Sequence, residues 1–101
     1  RVKAEYLEFL NEFPTVYDIR VDLGTFRALH QDYMAALEEY KRAVTLIPSS
    51  PLAHYYLGVT YAQLGMFEQS LESFEDTLKI EADFRNTEQL MEQVRSLMQR
   101  D

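Results

Sequence analysis

Cysteine is absent from the 101 residues, which excludes a disulfide framework, any thiolate metal site and a thiol nucleophile. Three Gly and three Pro leave little material for long irregular loops. No apolar run approaches the length that crosses a bilayer, and no signal-peptide core is visible. Positive charge is scarce: 10 Lys and Arg face 17 Asp and Glu, for a net charge of −7. A nucleic-acid-binding surface needs a basic face to displace counterions, so that class is excluded. What is present is apolar. Hydrophobic residues make up 47% of the chain, with seven Tyr and six Phe, enough to fold as one domain and too many for disorder. Arg1 stands where an initiator Met would, so a piece of a longer or processed chain is expected. The absence of Cys permits cytoplasm and periplasm equally and the sequence does not fix the compartment; the cytoplasm is the favoured expectation.

Apolar residues recur at helical spacing throughout. Val2, Tyr6, Phe9, Leu10 and Phe13 form one stripe that Pro14 ends. Thr15 and Asp18 have the spacing of a capping box, predicting a helix through about Leu29. Another is expected from Tyr33 to Leu46, burying Ala36, Leu37, Tyr40, Ala43, Val44 and Ile47. Pro48 stops it, Ser50 is placed to cap the next, and Pro51 suits a first turn. Helices over Leu52–Leu64 and Phe67–Ile80 follow, hinged at Gly65, with a last one from Asn86 to Gln99. No segment alternates with period two. The fold class is all-α.

The helices repeat. A shift of 34 residues superposes Leu23–Gly24 on Leu57–Gly58, Ala28 on Ala62, Leu37–Glu38 on Leu71–Glu72 and Tyr40 on Phe74. The same shift carries Glu5–Tyr6 onto Glu39–Tyr40, Leu10 onto Val44 and Pro14 onto Pro48. A fixed period of this length marks a solenoid of one repeated helical unit.

The pattern resembles the tetratricopeptide repeat, with its W-x2-L-G-x2-Y, A-x3-F and closing P. Leu57–Gly58, Tyr61, Gly65, Phe67, Ser70 and Phe74 carry it in residues 51–84. Leu23–Gly24, Tyr33, Ala36, Tyr40, Ala43 and Pro48 carry it in residues 17–50. The resemblance implies a right-handed superhelical array of antiparallel helix pairs, about six helices in all. Residues 1–14 would be an N-terminal helix or half repeat, and residues 85–101 a capping helix. In that cap Leu90, Val94, Leu97 and Met98 are expected to face inward. The sequence departs from the pattern at Arg20 and His54, where Trp is usual, at Arg27 for Tyr, and at Ala82 for Pro. Ile19 and Phe26 are expected to take over the packing beside the two arginines, whose stems lie along the surface; a basic binding patch is the alternative.

Nothing points to catalysis. His30 and His54 sit on different helices without a second histidine at metal-pair spacing, and each Gly stands alone. The carboxylates read as solvated helix faces, with Glu38 and Arg42 spaced for an ion pair. No metal or cofactor is expected.

Proteins with this repeat bind other proteins or peptides in a groove lined by the first helix of each unit. Carried over by position, the groove here comprises Asp18, Val21, Asp22, Thr25, Leu29, Leu52, Tyr55, Tyr56, Val59, Gln63, Gln89 and Gln93. Tyr55 and Tyr56 stand out as binding anchors, because Tyr61 already serves the core. The positions that clamp a C-terminal carboxylate in the co-chaperone subclass are Val21, Thr25, Tyr56, Asn86 and Leu90, so that ligand finds no cation and is rejected. Asp18 and Asp22 favour a ligand with apolar anchors and positive charge. The alternatives are self-association through the apolar N-terminal face or groove, and occupation of the groove by residues 1–13.

Overall fold

The computed structural model describes residues 15–100, which form five helices and no strand. The expectations for residues 1–14 lie outside the described residues.

The first two helices start and stop where local chemistry requires. α1 spans Val16–Leu29 behind a complete capping box, in which Thr15 Oγ1 accepts from Asp18 N–H and Asp18 Oδ2 accepts from Thr15 N–H, both at 3.1 Å. It closes with Gln31 N–H donating to Ala28 O and Asp32 N–H to Arg27 O, a Schellman pair that needs a left-handed residue, here Gln31 at φ 62°. α2 spans Tyr33–Leu46, with Asp32 accepting from Ala35 N–H, and it ends because Ile47 precedes Pro48.

α3 spans Pro51–Gln63 and ends in the same Schellman pattern, with Gly65 at φ 75°. Gly65 is the 34-residue equivalent of Gln31. A non-glycine residue there costs about 1 kcal/mol, and Gln31 is exposed with no structural role for its side chain. Gln31→Gly should therefore raise stability by up to about 1 kcal/mol, read as a higher urea midpoint at unchanged slope.

α4 spans Phe67–Ile80 and α5 spans Thr87–Met98. Each helix packs on its neighbour in sequence, so α1, α3 and α5 form one row and α2 and α4 the other. One core cluster joins α1, α2 and α3 around Leu37, Tyr40, Ala53 and Leu57. The other joins α3, α4 and α5 around Tyr55, Phe74, Met91 and Val94. The two are copies of one design. The Tyr40 ring lies on Gly24 and the Phe74 ring on Gly58, so close that neither glycine has room for a methyl group. Ser70 Oγ donates to Gly58 O at 2.6 Å and locks α4 to α3. Among the described residues every buried side-chain polar atom has a partner.

Several expectations need correction. Ser50 makes no capping bond; its hydroxyl pairs with Tyr17 OH instead. Ile47 is exposed, because the chain turns out of the helix there. Ile19 and Phe26 do not pack beside the arginines: they are 45% and 54% exposed, on a face of α1 turned away from α2. Arg20 instead bonds Glu39 of α2 at 3.0 Å. Glu38 and Arg42 form no ion pair. In α5 the inward residues are Met91 and Val94 with Leu90 half-buried, whereas Leu97 and Met98 are exposed.

Candidate functional site

Side chains on α1, α3 and α5 define two clefts, one on either side of α3. The first, of about 250 Å³, is lined by Thr25, Ala28, Leu29, Tyr33, Tyr40, Tyr56, Val59, Thr60 and Gln63. The second, of about 230 Å³, is lined by Val59, Ala62, Gln63, Phe74, Leu90, Gln93, Val94 and Leu97. All first-cleft residues except Tyr33 map onto second-cleft residues by the 34-residue shift: Thr25 to Val59, Tyr40 to Phe74, Tyr56 to Leu90, Gln63 to Leu97. The repeat thus builds the same apolar notch twice, and Val59 and Gln63 of α3 belong to both.

The expected groove residues divide into three groups. Thr25, Leu29, Tyr56, Val59, Gln63 and Gln93 do line the clefts. Asp18, Asp22 and Gln89 are exposed outside the clefts. Val21 and Tyr55 are core residues, and Leu52 packs against the first cluster. Tyr55 is the main correction. It is 9% exposed, its hydroxyl donates to Asn86 Oδ1 at 2.7 Å, and its ring packs against Phe74 and Phe84. Successive helical residues point about 100° apart, so only one of two adjacent tyrosines faces the groove. Tyr56 is that one. It stacks on Tyr40 at 5.2 Å between centroids, and the Arg85 guanidinium sits 5.9 Å from its ring.

Tyr33, Tyr40, Thr60, Leu90 and Leu97 also line the clefts without having been expected there. The repeat offset itself was the signal for two of them: Leu90 and Leu97 follow Tyr56 and Gln63 by one unit. Tyr40 forms the cleft floor, where its hydroxyl shares a hydrogen bond with Thr25 Oγ1 at 3.0 Å. Burial pushes its phenol above the ordinary value, against the lowering effect of that bond, so it stays neutral and donor-capable.

Both histidines bond backbone carbonyls. His30 Nδ1 bonds Phe26 O at 2.9 Å at the end of α1, and His54 Nε2 donates to Pro48 O at 2.9 Å across the turn. Among the described residues no cluster of His, Asp and Glu has metal-site geometry, and no helix is long and apolar enough to cross a membrane.

Comparison with known proteins agrees with the geometry. A family model described as the TPR repeat matches residues 29–65. A second, the Fis1 C-terminal tetratricopeptide repeat, matches residues 53–101. Tetratricopeptide repeat protein 13 of Homo sapiens is 33% identical over 61 residues, a stretch covering 60% of this chain and 7% of that protein. The matched stretch is thus a small part of that relative's length. With a 34-residue period, paired helices and ring-on-glycine contacts in both units, the chain belongs to the tetratricopeptide-repeat family of protein-interaction modules.

Proposed function

We propose that the α1–α3–α5 face is a non-enzymatic docking groove for a segment of another protein, held by two apolar side chains, one per cleft. The observation that carries this is the duplication of the cleft across α3. The two notches flank one helix, so their centres lie about 10 Å apart. A flat β-strand fits poorly, because residues about 10 Å apart on it point to opposite faces. An α-helix presents residues i and i+7 on one face at about 10.5 Å. Polyproline II presents i and i+3 at about 9 Å. Asp18 and Asp22, exposed on α1, favour Lys or Arg at the end of the ligand nearest that helix.

Selection from a random displayed-peptide library tests this reading. Enriched peptides should carry two large apolar residues seven or three apart, with basic residues at one end. Val59→Lys puts a charge at the wall shared by both clefts. It should weaken the selected peptides at least about tenfold, since each buried anchor contributes roughly 1.5–3 kcal/mol. Peptides that ignore Val59→Lys would refute the groove. Self-association is the competing reading, and the exposed outer face of α1 is its support. A mass that stays monomeric between micromolar and millimolar chain separates the two.

A further inference from the structure

Arg85 stands in the turn between α4 and α5, at the α5 edge of the groove. Its guanidinium lies close to three ring centroids: Phe84 at 5.4 Å, Tyr55 at 5.5 Å and the groove residue Tyr56 at 5.9 Å. The rings are themselves fixed. Tyr55 is buried and bonded to Asn86, Phe84 meets it edge-on at 5.5 Å, and Tyr56 is stacked on Tyr40. A long exposed side chain that would otherwise sample many rotamers is thereby held in one place. No described carboxylate uses the charge held there. Glu81, Asp83 and Glu88 are exposed within a few residues of Arg85, yet the ion pairs among the described residues are Arg20–Glu39 and Lys79–Asp76. Ring faces engage a guanidinium's charge and leave its fork of N–H donors for a carboxylate. Arg85 also sits at φ 48°, a left-handed conformation that glycine adopts without cost. Non-glycine residues in that region are frequent at ligand clamps.

The geometry points to Arg85 as a specificity-determining residue of the groove, one that pairs with an Asp or Glu side chain of the bound segment and fixes the segment's direction. This rests on the docking groove proposed above. The two clefts are near copies, so their apolar walls alone accept two anchors in either order. Charge breaks the tie. Asp22, Tyr56 and Leu90 stand 34 residues apart on α1, α3 and α5, which places them in one row across the groove. Exposed Asp22 flanks Tyr56 on the α1 side, and Arg85 flanks it on the α5 side. A segment with a basic residue at its α1 end and an acidic residue at its α5 end meets an opposite charge at both edges. Reversed, it meets like charge at both. Because the rings already hold the guanidinium in place, pairing with it loses little further side-chain freedom.

Parallel selections of displayed random peptides on the native chain and on Arg85→Gln test the proposal. Peptides enriched on the native chain should carry Asp or Glu at the end opposite their basic residues. Those enriched on Arg85→Gln should keep both apolar anchors and lose that acid. A native-selected peptide, amidated at its C-terminus so that only side chains carry negative charge, then gives the pairwise measurement. Exchanging its acid for the matching amide should weaken binding about three- to tenfold on the native chain and leave binding to Arg85→Gln unchanged. The amide peptide should bind both chains equally, which shows that Arg85→Gln leaves the fold and the clefts intact. Native selections without an acid at that end would overturn the proposal, as would an equal loss on both chains. Peptides that Val59→Lys abolishes but that ignore Arg85→Gln would leave the groove standing and remove Arg85 from it. Coupling to Arg85 in peptides that ignore Val59→Lys would place that contact outside the groove, and would overturn the proposal too.

Discussion

Phe74→Ala should remove about 3–5 kcal/mol of folding stability, the range for a fully buried aromatic ring. Phe74 is 1% exposed and belongs to the only described cluster that joins α3, α4 and α5. Its ring lies on Gly58, neighbours Tyr55 at 6.0 Å and forms the floor of the second cleft. The surroundings cannot collapse into the space: Gly58 has no side chain to advance, and Ser70 fixes the α3–α4 spacing through Gly58 O. A domain of this size has about 5–15 kcal/mol in all, so the loss takes a large share of it. In a repeat array the loss is local first, because each unit contacts only its neighbours. Urea unfolding followed by amide exchange should show α4 and α5 opening while α1 and α2 keep their protection. A change below about 1 kcal/mol would show that the ring is not what holds the second unit together.

The units were legible in the sequence because turns and caps are local chemistry. The Thr15–Asp18 box, the Pro48–Pro51 punctuation and Gly65 each mark a boundary that the structure reproduces within a residue or two. The small residues opposite rings were legible too, since Gly24, Gly58, Ala36 and Ser70 hold their places at 34-residue spacing. What sequence left open is helix rotation. One residue of error turns a side chain by about 100°, from groove to core, and that is the difference between Tyr56 and Tyr55. In α5 the apolar pattern alone offers Leu90, Met91, Val94, Leu97 and Met98 as candidates for the inner face. Position within the repeat decides: Met91 is the equivalent of Leu57 and is buried, whereas Leu97 is the equivalent of groove residue Gln63. The doubled cleft was likewise invisible until Tyr40 and Phe74 were seen as its two floors.

Gly58→Ala should destabilise the domain by about 1–3 kcal/mol, against the direction that helix propensity dictates. Alanine is favoured over glycine inside a helix by about 1 kcal/mol, and Gly58 lies in the interior of α3. Sterics reverse the sign. A Cβ at Gly58 would stand 2.5 Å from Phe74 Cε1, 2.6 Å from Cδ1 and 2.9 Å from Cζ, all well inside contact distance. A flexible side-chain end could move aside, but this ring is buried among Tyr55, Met91 and Val94. Relief must come from α4 moving off α3, which stretches the 2.6 Å bond from Ser70 to Gly58 O. Phe74→Leu in the same chain should restore part of the loss, so the double mutant should lie above the sum of the single changes. Gly24→Ala meets the Tyr40 ring at the same 2.5 Å and should behave alike. Gly65→Ala is the contrasting case: its Cβ meets nothing within 4 Å, so any loss reflects the left-handed φ of 75° and no partner residue can rescue it. Thermal unfolding of the four single variants and the double mutant decides between clash and backbone strain. An increase in Tm for Gly58→Ala would mean that α3 and α4 tolerate a wider spacing than the ring-on-glycine contact implies.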